Sequence, residues 1–424
     1  MLYALSEINK NTTILPGIKL GYDVYDSCDS VELSARYALN FMVNNDYYKD
    51  GNTKLIGVVG GSLSDISALL NSVISSEYTP QISYSSTSEA LSESWRYRSF
   101  LRTVPSDKHL AAAMIDLIRY FKWTYVSAFA IDDAYGRVGL EELQISAKEA
   151  GVCLEHALTF NEKLEPRELR EIVGHLKELT INTTHIVIIW APYKVSEKIM
   201  QAAEASNISE WNLVFIGPHI WTDTMRLGEH FFYRTIITKL KQPLLENSFI
   251  KDMKSSFDIN WLNPWIRKIF ESEGFCPMKI FLSKDKPPNC KYPLFGSMAS
   301  AVISETHSKY PQVIAAVYAI ALGLHEYLGC NKTACPKWDP EIDFRKLFHI
   351  IKKCDFVVPR SEGYRISFDQ KTGEIVNKEY IFNMHFLTEV KAVGTWFGSN
   401  NIDASTDAKN GQYFIFCYFV FFSE

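Results

Sequence analysis

A chain of 424 residues with 47% hydrophobic and 22% charged side chains exceeds one ordinary domain and can bury large cores. Its net charge of −5 and the lack of a basic stripe argue against a nucleic-acid partner. The charges alternate in sign along predicted helices, for example at residues 141–148, as they do on solvated helix faces.

Helical and extended segments alternate along the first half of the chain. Helices are predicted where apolar residues recur with the period of a helix, and strands where short apolar runs lie between turn residues. The predicted helices span 2–9, 31–44, 65–75, 108–121, 138–150, 166–179 and 195–205. The predicted strands span 19–25, 55–59, 81–84, 124–131, 153–158, 185–190 and 212–216.

Several of these strands are continuously apolar, most clearly residues 185–190. That pattern is typical of a parallel sheet that helices cover on both faces. Two blocks of alternation, joined at residues 102–107, predict an α/β protein with two doubly wound lobes. Ligands bind beyond the carboxyl ends of the strands in such sheets.

The alternation is lost after about Thr222. Residues 231–304 hold six of the sixteen prolines and are predicted to be an irregular excursion. Helices are predicted again at 311–328 and 344–351. They are followed by a hairpin of strands 365–369 and 379–385, with Lys371, Thr372 and Gly373 in its turn.

The two ends of the chain carry opposite features. The N-terminus has neither the basic region nor the apolar core of a signal peptide. The apolar run at residues 413–422 is too short to cross a bilayer as a helix. A buried strand, a truncated membrane segment and an artefact of the sequence end are all compatible with it.

None of the eight cysteines lies in a Cys-x-x-Cys pair. Cys330 and Cys335 could close a small disulfide loop or contribute two zinc ligands, although no second pair completes a zinc site. Four glycosylation sequons fit an extracellular chain, and a cytosolic protein with free thiols is the alternative. The sequons begin at Asn11, Asn182, Asn207 and Asn331.

Three loops that follow predicted strands carry candidate binding residues. Residues 60–67, GGSLSDIS, suit a small anion such as a carboxylate at a helix N-terminus, with capping by Ser62 or Ser64 as the alternative. Residues 84–88, YSSTS, offer hydroxyls and carbonyls to a zwitterion, or form a polar turn. Residues 132–137, DDAYGR, place carboxylates and an aromatic face where an ammonium group could bind, or cap a helix.

No enzyme signature accompanies these loops. His325 and Glu326 are not followed by a second histidine at the spacing of a zinc protease. The chain also has no G-x-S-x-G motif and no dinucleotide fingerprint. The sequence therefore predicts no catalysis.

Four segments, ILPGIKLGYDVYDSC, TPQISYSSTSEALS, SFLRTVPSD and IDDAYGRVG, resemble the extracellular Venus-flytrap domain of class C G-protein-coupled receptors. That group contains calcium-sensing, taste, pheromone and metabotropic glutamate receptors. The resemblance runs from Met1 to about Ile220 and resumes at VYAIALGLHEY and GYRISFDQKTGEIVNKEYIFNMHF. It implies a type I periplasmic-binding-protein fold that binds an amino acid between its lobes and signals by lobe closure.

The resemblance also implies roles for individual residues. Ser64 with its neighbouring amides would hold the α-carboxylate, and Thr87 would bond both carboxylate and amine. The Ser85 carbonyl and Asp107 would receive the ammonium, and Tyr135 would cover it. The full expected set is Ser64, Ser85, Ser86, Thr87, Asp107, Tyr135 and His219.

His219 departs from the family, which usually has an acidic residue at the matching position. A protonated imidazole would repel the amine, so we expect amino-acid binding to be weakened and to fall below about pH 6. The alternative is that His219 faces away from the site.

The resemblance assigns residues 1–104 and 105–222 to the first and second lobes. Residues 223–353 would be an excursion that returns to the first lobe, residues 354–398 a hairpin of the second, and residues 399–424 an atypical tail. The family's first strand would precede Met1, so we expect a fold that is incomplete at the N-terminus and a chain that is a fragment or incomplete gene model. The strand that the family has after the position of Trp221 is expected to be absent from this chain, because the cation-rich residues 233–242 stand there.

The cysteines match the family in part. The resemblance implies disulfides Cys276–Cys290 and Cys330–Cys335, and leaves Cys28 and Cys153 without their usual partners. Some relatives bind calcium, and Asp132 and Asp133 are candidate ligands for it, although calcium prefers six or more oxygen ligands; no other cofactor is expected.

The expected function is ligand sensing on the extracellular side of the cell membrane, with G-protein contact only through a membrane part outside this chain. A homodimer or heterodimer through first-lobe helices such as 66–75 would be the receptor form. A soluble amino-acid carrier or decoy of the same fold is the alternative. A hydrolytic enzyme would need a nucleophile and base in the cleft, and the sequence offers none.

Overall fold

A computed structural model describes most of the two lobes. The described residues are 1–43, 54–123, 125–161, 163–179, 185–206, 213–218, 221, 235–241, 246, 248, 251–252, 309–336, 342–385, 390–398 and 402–404. Across these ranges, no helix combines the length and apolar character that a membrane crossing requires.

The helices and strands alternate through most of the described chain. The helices are α1 (Leu2–Lys10), α2 (Val31–Val43), α3 (Ser64–Ile74), α4 (Asp107–Tyr120), α5 (Ala134–Ala150), α6 (Pro166–Glu178), α7 (Tyr193–Ala205), α8 (Tyr310–Tyr327) and α9 (Phe344–Lys353). The strands are β1 (Val58–Val59), β2 (Gln81–Ser83), β3 (Phe100–Arg102), β4 (Tyr125–Ile131), β5 (Cys153–Phe160), β6 (His185–Trp190), β7 (Leu213–Gly217), β8 (Thr235–Leu240), β9 (Asp355–Val357), β10 (Arg365–Ser367), β11 (Tyr380–His385), β12 (Val390–Trp396) and β13 (Ile402–Ala404).

The first lobe is built around helix α8. Because α8 is apolar on nearly every face, it is buried as a central helix rather than laid on a surface. Its residue Ile320 shares one core with Ile8 of α1, Leu101 of β3 and Leu347 of α9. The described sheet of this lobe is parallel in the order β1-β2-β3, with Gln81 opposite Val58 and Phe100.

The second lobe contains a sheet in the order β13-β12-β11-β8-β7-β6-β4-β5. Strands β8, β7, β6, β4 and β5 are parallel to one another. Strands β11, β12 and β13 extend the sheet in antiparallel pairing. Alternate residues of β4 enter different cores: Val126 and Ala128 pack with α4 and α5, whereas Phe129 and Ile131 pack with α6 and α7. Helices on both faces make this lobe doubly wound, as the continuous apolar strands predict.

The predicted strand at residues 19–25 is wrong. These residues form no strand, and Tyr22 and Tyr25 are exposed. Leu20 is held instead by the side-chain amide of Asn9, which bonds its N–H and its carbonyl, both at 2.9 Å. Alternation gives a segment two faces, but a strand also needs a hydrogen-bonding neighbour, and no described strand lies beside this one.

The predicted hairpin near the end of the chain is also wrong in its pairing. Strand β10 pairs antiparallel with β9, whereas β11 joins the sheet of the second lobe. The turn itself forms, because Asp369 accepts the amides of Lys371 and Thr372, each at 2.8 Å. Local turn chemistry identified the bend but not the sheet that each arm enters.

The strand predicted to be absent after Trp221 is present as β8. Its first four residues, Thr235 to Thr238, are buried between β7 and β11, and the lysine at position 239 lies at its half-buried end. Because Thr235 to Thr238 carry no charge, the buried part of β8 contains none of the cations that were expected to prevent a strand. His219, Asn182, Asn207, Cys276, Cys290 and residues 413–422 lie outside the described residues.

Candidate ligand site between the lobes

The candidate site begins at the N-terminus of helix α3. Neither Ser62 nor Ser64 caps this helix: the N-cap residue is Leu63, and no described side chain bonds the first amides as a cap. The hydroxyl of Ser64 instead accepts the N–H of Ser88 at 3.2 Å. The alternative of capping by Ser62 or Ser64 is therefore wrong, and the positive end of α3 retains backbone donors that an anion could use.

The hydroxyl loop at residues 83–88 is fixed against the start of α3. The Ser86 hydroxyl lies 2.8 Å from that of Ser67 and donates to the Gly61 carbonyl at 3.2 Å. The Ser83 hydroxyl accepts the Ser86 N–H at 3.0 Å and donates to Gly61 at 2.8 Å. Ser86 thus orients the loop, while Ser85 remains half-buried beside it.

Arg102 holds the far end of the same loop. Its guanidinium is fully buried and donates to the Ser88 carbonyl at 2.8 Å and to the Ser92 hydroxyl at 2.5 Å. A buried arginine in a short strand is unusual, because Arg is rarely buried without partners. The lone charge in the apolar run SFLRTV is the sequence signal that could have marked this residue.

Asp107 lies where the chain leaves the first lobe and begins α4. Its N–H donates to the Thr87 carbonyl at 2.7 Å, which ties the helix start to the hydroxyl loop. The residue is 1% exposed, and neither carboxylate oxygen has a hydrogen-bond partner among the described residues. Burial raises the pKa of Asp107 to about 7, although the nearby Thr87 hydroxyl and Arg102 oppose the shift.

Tyr135 approaches Asp107 from the second lobe. Asp133 caps α5 by accepting the Gly136 N–H at 2.7 Å, which sets Tyr135 in the first turn. The tyrosine ring packs on Trp190 with centroids 5.9 Å apart, and its buried hydroxyl finds no partner within the described part of the chain. Burial, then the charges of Asp107 and Asp133, raise the pKa of Tyr135 well above its usual value.

The two aspartates proposed as calcium ligands serve the start of α5. Asp133 is its cap, and the carboxylate of Asp132 lies 2.8 Å from Arg137 Nε. Among the described residues, no three His, Cys, Asp or Glu side chains converge as a metal site would require. Calcium binding at Asp132 and Asp133 stays a prediction.

Glu374 connects the site to a later crossing between the lobes, the one between β10 and β11. Its carboxylate accepts the Ser106 N–H at 2.8 Å and lies 3.5 Å from Arg102, 3.5 Å from His109 and 3.3 Å from Lys378. Burial alone would raise the pKa of Glu374, but His109, Arg102 and Lys378 outweigh it and hold the pKa well below its usual range. No sequence pattern marked this residue, because Arg102, Ser106 and His109 lie far from it along the chain.

The other predicted sites that the structure describes are cysteines and sequon asparagines. Cys330 and Cys335 form a disulfide, while Cys28 and Cys153 are exposed free thiols. The asparagine at position 11 and that at position 331 are both exposed. In each of these two sequons the threonine hydroxyl donates to the asparagine side-chain carbonyl.

Comparisons with known proteins give one consistent result. The family described as receptor family ligand binding region matches residues 1–385. The extracellular calcium-sensing receptor of Homo sapiens is 26% identical, over 92% of this chain and 40% of that receptor. Metabotropic glutamate receptor 4 of Macaca fascicularis is 27% identical, over 93% of this chain and 45% of that receptor. The chain therefore spans less than half the length of these relatives, which are receptors rather than enzymes.

Proposed function

This chain belongs to the family of receptor ligand-binding regions, and from that membership we propose that it senses a free amino acid or a related small ammonium compound between its lobes. It is homologous to calcium-sensing and metabotropic glutamate receptors. The same fold and the same cleft would suit a receptor whose other parts lie beyond the matched region.

The observation that carries this proposal is the buried carboxylate of Asp107, which makes no hydrogen bond of ordinary geometry to any described residue, although the Thr87 hydroxyl lies near it. Burying an ionised carboxylate without a partner is costly, so such groups are normally paired or neutralised. A ligand ammonium beside Asp107 would supply the missing donors. The ring of Tyr135 would add attraction for the same cation through its face.

The other half of an amino acid fits the first lobe. The first-turn amides of α3 point away from the helix and have no side-chain cap among the described residues. Together with the hydroxyls of Ser64 and Thr87 they would bind an α-carboxylate. Ser85 would contribute its carbonyl to the ammonium, and Ser86 would keep the loop in position.

Lobe closure would be the signal. The carboxylate contacts proposed for Ser64 and Thr87 belong to the first lobe, whereas Tyr135 belongs to the second. A ligand that contacts both lobes favours the state in which they are close, by its differential affinity for that state. We place the domain on the extracellular side of a membrane receptor, where dimerisation through first-lobe helices would transmit closure.

Calorimetry on the secreted chain tests the amino-acid proposal. Titration with free L-amino acids and with their N-acetyl derivatives should give binding that requires the free ammonium. Asp107→Asn should weaken that binding about a hundredfold or more, since a charge-assisted contact is lost. Glu178→Gln, an exposed acid at the end of helix α6, should leave binding unchanged. Equal affinity of the wild type and Asp107→Asn would overturn the proposal.

A further inference from the structure

We infer that the ligand carries a second positive charge, as a basic amino acid does, because Glu89 of the first lobe and Glu142 of the second lie on two elements that contact each other, the 3-10 turn Glu89–Ser92 and helix α5. This inference rests on the proposed function and specifies the side chain of the ligand.

Glu142 lies on the cleft stripe of helix α5. It is seven residues after Tyr135, and residues seven apart lie almost in line along a helix because two turns take 7.2 residues. Helix α5 contacts the first lobe through α3 and through the short 3-10 turn Glu89–Ser92. The half-buried Glu142 therefore lies on the same face of α5 as Tyr135, two turns further along the helix.

Glu89 lies on the other side of this contact. It is the first residue of the 3-10 turn and directly follows the hydroxyl loop. Its carboxylate accepts the Ser92 hydroxyl at 3.1 Å and lies 3.8 Å from Arg102 Nη2. Arg102 also faces Glu374 at 3.5 Å, so one guanidinium is shared between two carboxylates and neutralises Glu89 only in part.

The charges of the two lobes act on one another across the cleft. After burial, the largest influence that raises the pKa of Glu142 is Glu89. Both Glu89 and Glu142 also raise the pKa of Asp107, beyond the effect of its burial. The opposing cations are Lys108 for Glu142 and Arg102 for Asp107.

This arrangement makes closure depend on a cation. Like charges that face each other across two lobes disfavour the closed state, and a ligand that neutralises them favours it. The α-ammonium of an amino acid would satisfy Asp107, the buried carboxylate that lacks a hydrogen-bond partner among the described residues. A side-chain guanidinium or ammonium would then lie between Glu89 and Glu142.

A pair of nearly isosteric ligands tests this inference. L-Arginine and L-citrulline differ chiefly in that the guanidinium of one is an uncharged ureido group in the other. By calorimetry on the full chain we expect arginine to bind at least about tenfold more tightly than citrulline, and the ratio to shrink as salt is raised from about 0.05 to 0.5 M.

Variants locate the source of the preference. Glu142→Gln should reduce the arginine-to-citrulline ratio to about threefold or less while citrulline affinity stays within about twofold. Glu89→Gln should act in the same direction. Glu141→Gln, an exposed neighbour on the same helix, is the matched control and should retain the full ratio.

The outcomes separate the two proposals. If citrulline binds as tightly as arginine, or if Glu142→Gln keeps the wild-type ratio, the inference of a second charge is overturned while amino-acid binding stands. If no free amino acid binds, including neutral ones, both proposals fail together.

Discussion

The carboxylate of Glu374 lies 3.5 Å from the guanidinium of Arg102, and the two residues belong to different connections between the lobes. Arg102 ends β3 just before the chain enters α4, and Glu374 lies between β10 and β11. A backbone bond from the Arg102 N–H to the Gly373 carbonyl, 3.1 Å long, joins the same two segments. The pair therefore joins two of the crossings between the lobes.

Removing one partner of this pair should be strongly destabilising. Arg102→Met leaves the buried Glu374 short of a cation, and breaking a buried pair from one side costs about 3–5 kcal/mol. The exposed pair Arg365–Asp355, at 2.6 Å, is the matched control, and Arg365→Met should cost far less stability, because exposed ion pairs contribute little. Urea denaturation measures both free energies of unfolding.

The double variant Arg102→Met/Glu374→Gln makes this prediction sharper. Removing both charges leaves neither unpaired, so the double variant should cost less than the sum of the two single variants. Losses that simply add, or an Arg102→Met loss no larger than that of Arg365→Met, would contradict the role given to the pair.

Asp107 should make stability depend on pH with a defined sign. Its pKa is raised in the unliganded fold, from 3.8 to about 7, so the folded state holds its proton more tightly than the unfolded chain does. Its favourable contribution is therefore fully present below about pH 4 and is lost as pH rises through about 7. A difference of this size between the folded and unfolded pKa corresponds to about 4 kcal/mol.

The measurement compares wild type and Asp107→Asn by urea unfolding at pH 5 and pH 8. The wild type should lose stability relative to the variant on going to pH 8, because Asn does not titrate. An ammonium ligand binds the charged carboxylate, so the stabilisation that it gives should be larger at pH 8 than at pH 5. Parallel pH profiles for the two proteins would show that Asp107 does not titrate in this range.

Gly139 should tolerate no larger side chain. A Cβ there would overlap the indole of Trp190, which is fully buried and packs on the ring of Tyr135. Gly139→Ala should therefore cost about 1–3 kcal/mol through overpacking. Gly174→Ala in helix α6, where a Cβ meets no atom within 4 Å, should stabilise by about 0.5–1 kcal/mol. Thermal unfolding of both variants checks the contrast, and two shifts of the same sign would contradict it.

Asp133 should contribute to stability as a helix cap. Asp133→Ala removes the bond to the Gly136 N–H and should cost about 1 kcal/mol. Asp132→Ala removes only an exposed contact with Arg137 and should cost about half as much or less. Urea titrations in excess EDTA measure both losses without a contribution from divalent cations. Equal losses for the two variants would argue against the cap.

The sequence by itself determined the alternation of helices and strands in the second lobe. Strand β6 has the predicted bounds, 185–190, because a strand buried on both faces carries its signal in its own residues. Helix α8 was identified for a similar reason, since its apolar run is long and continuous. The three loops at the ends of strands could be identified as polar, hydroxyl-rich or acidic from their composition alone.

Only the tertiary structure decided how these segments pair. Residues 19–25 alternate like a strand yet have no described neighbour, and β10 and β11 enter different sheets although a turn signal lies between them. It also decided which charges meet, as Arg102 does with Glu374 at 3.5 Å. A local sequence pattern records which face of a segment is apolar, but an ion pair between residues hundreds of positions apart depends on the path of the whole chain.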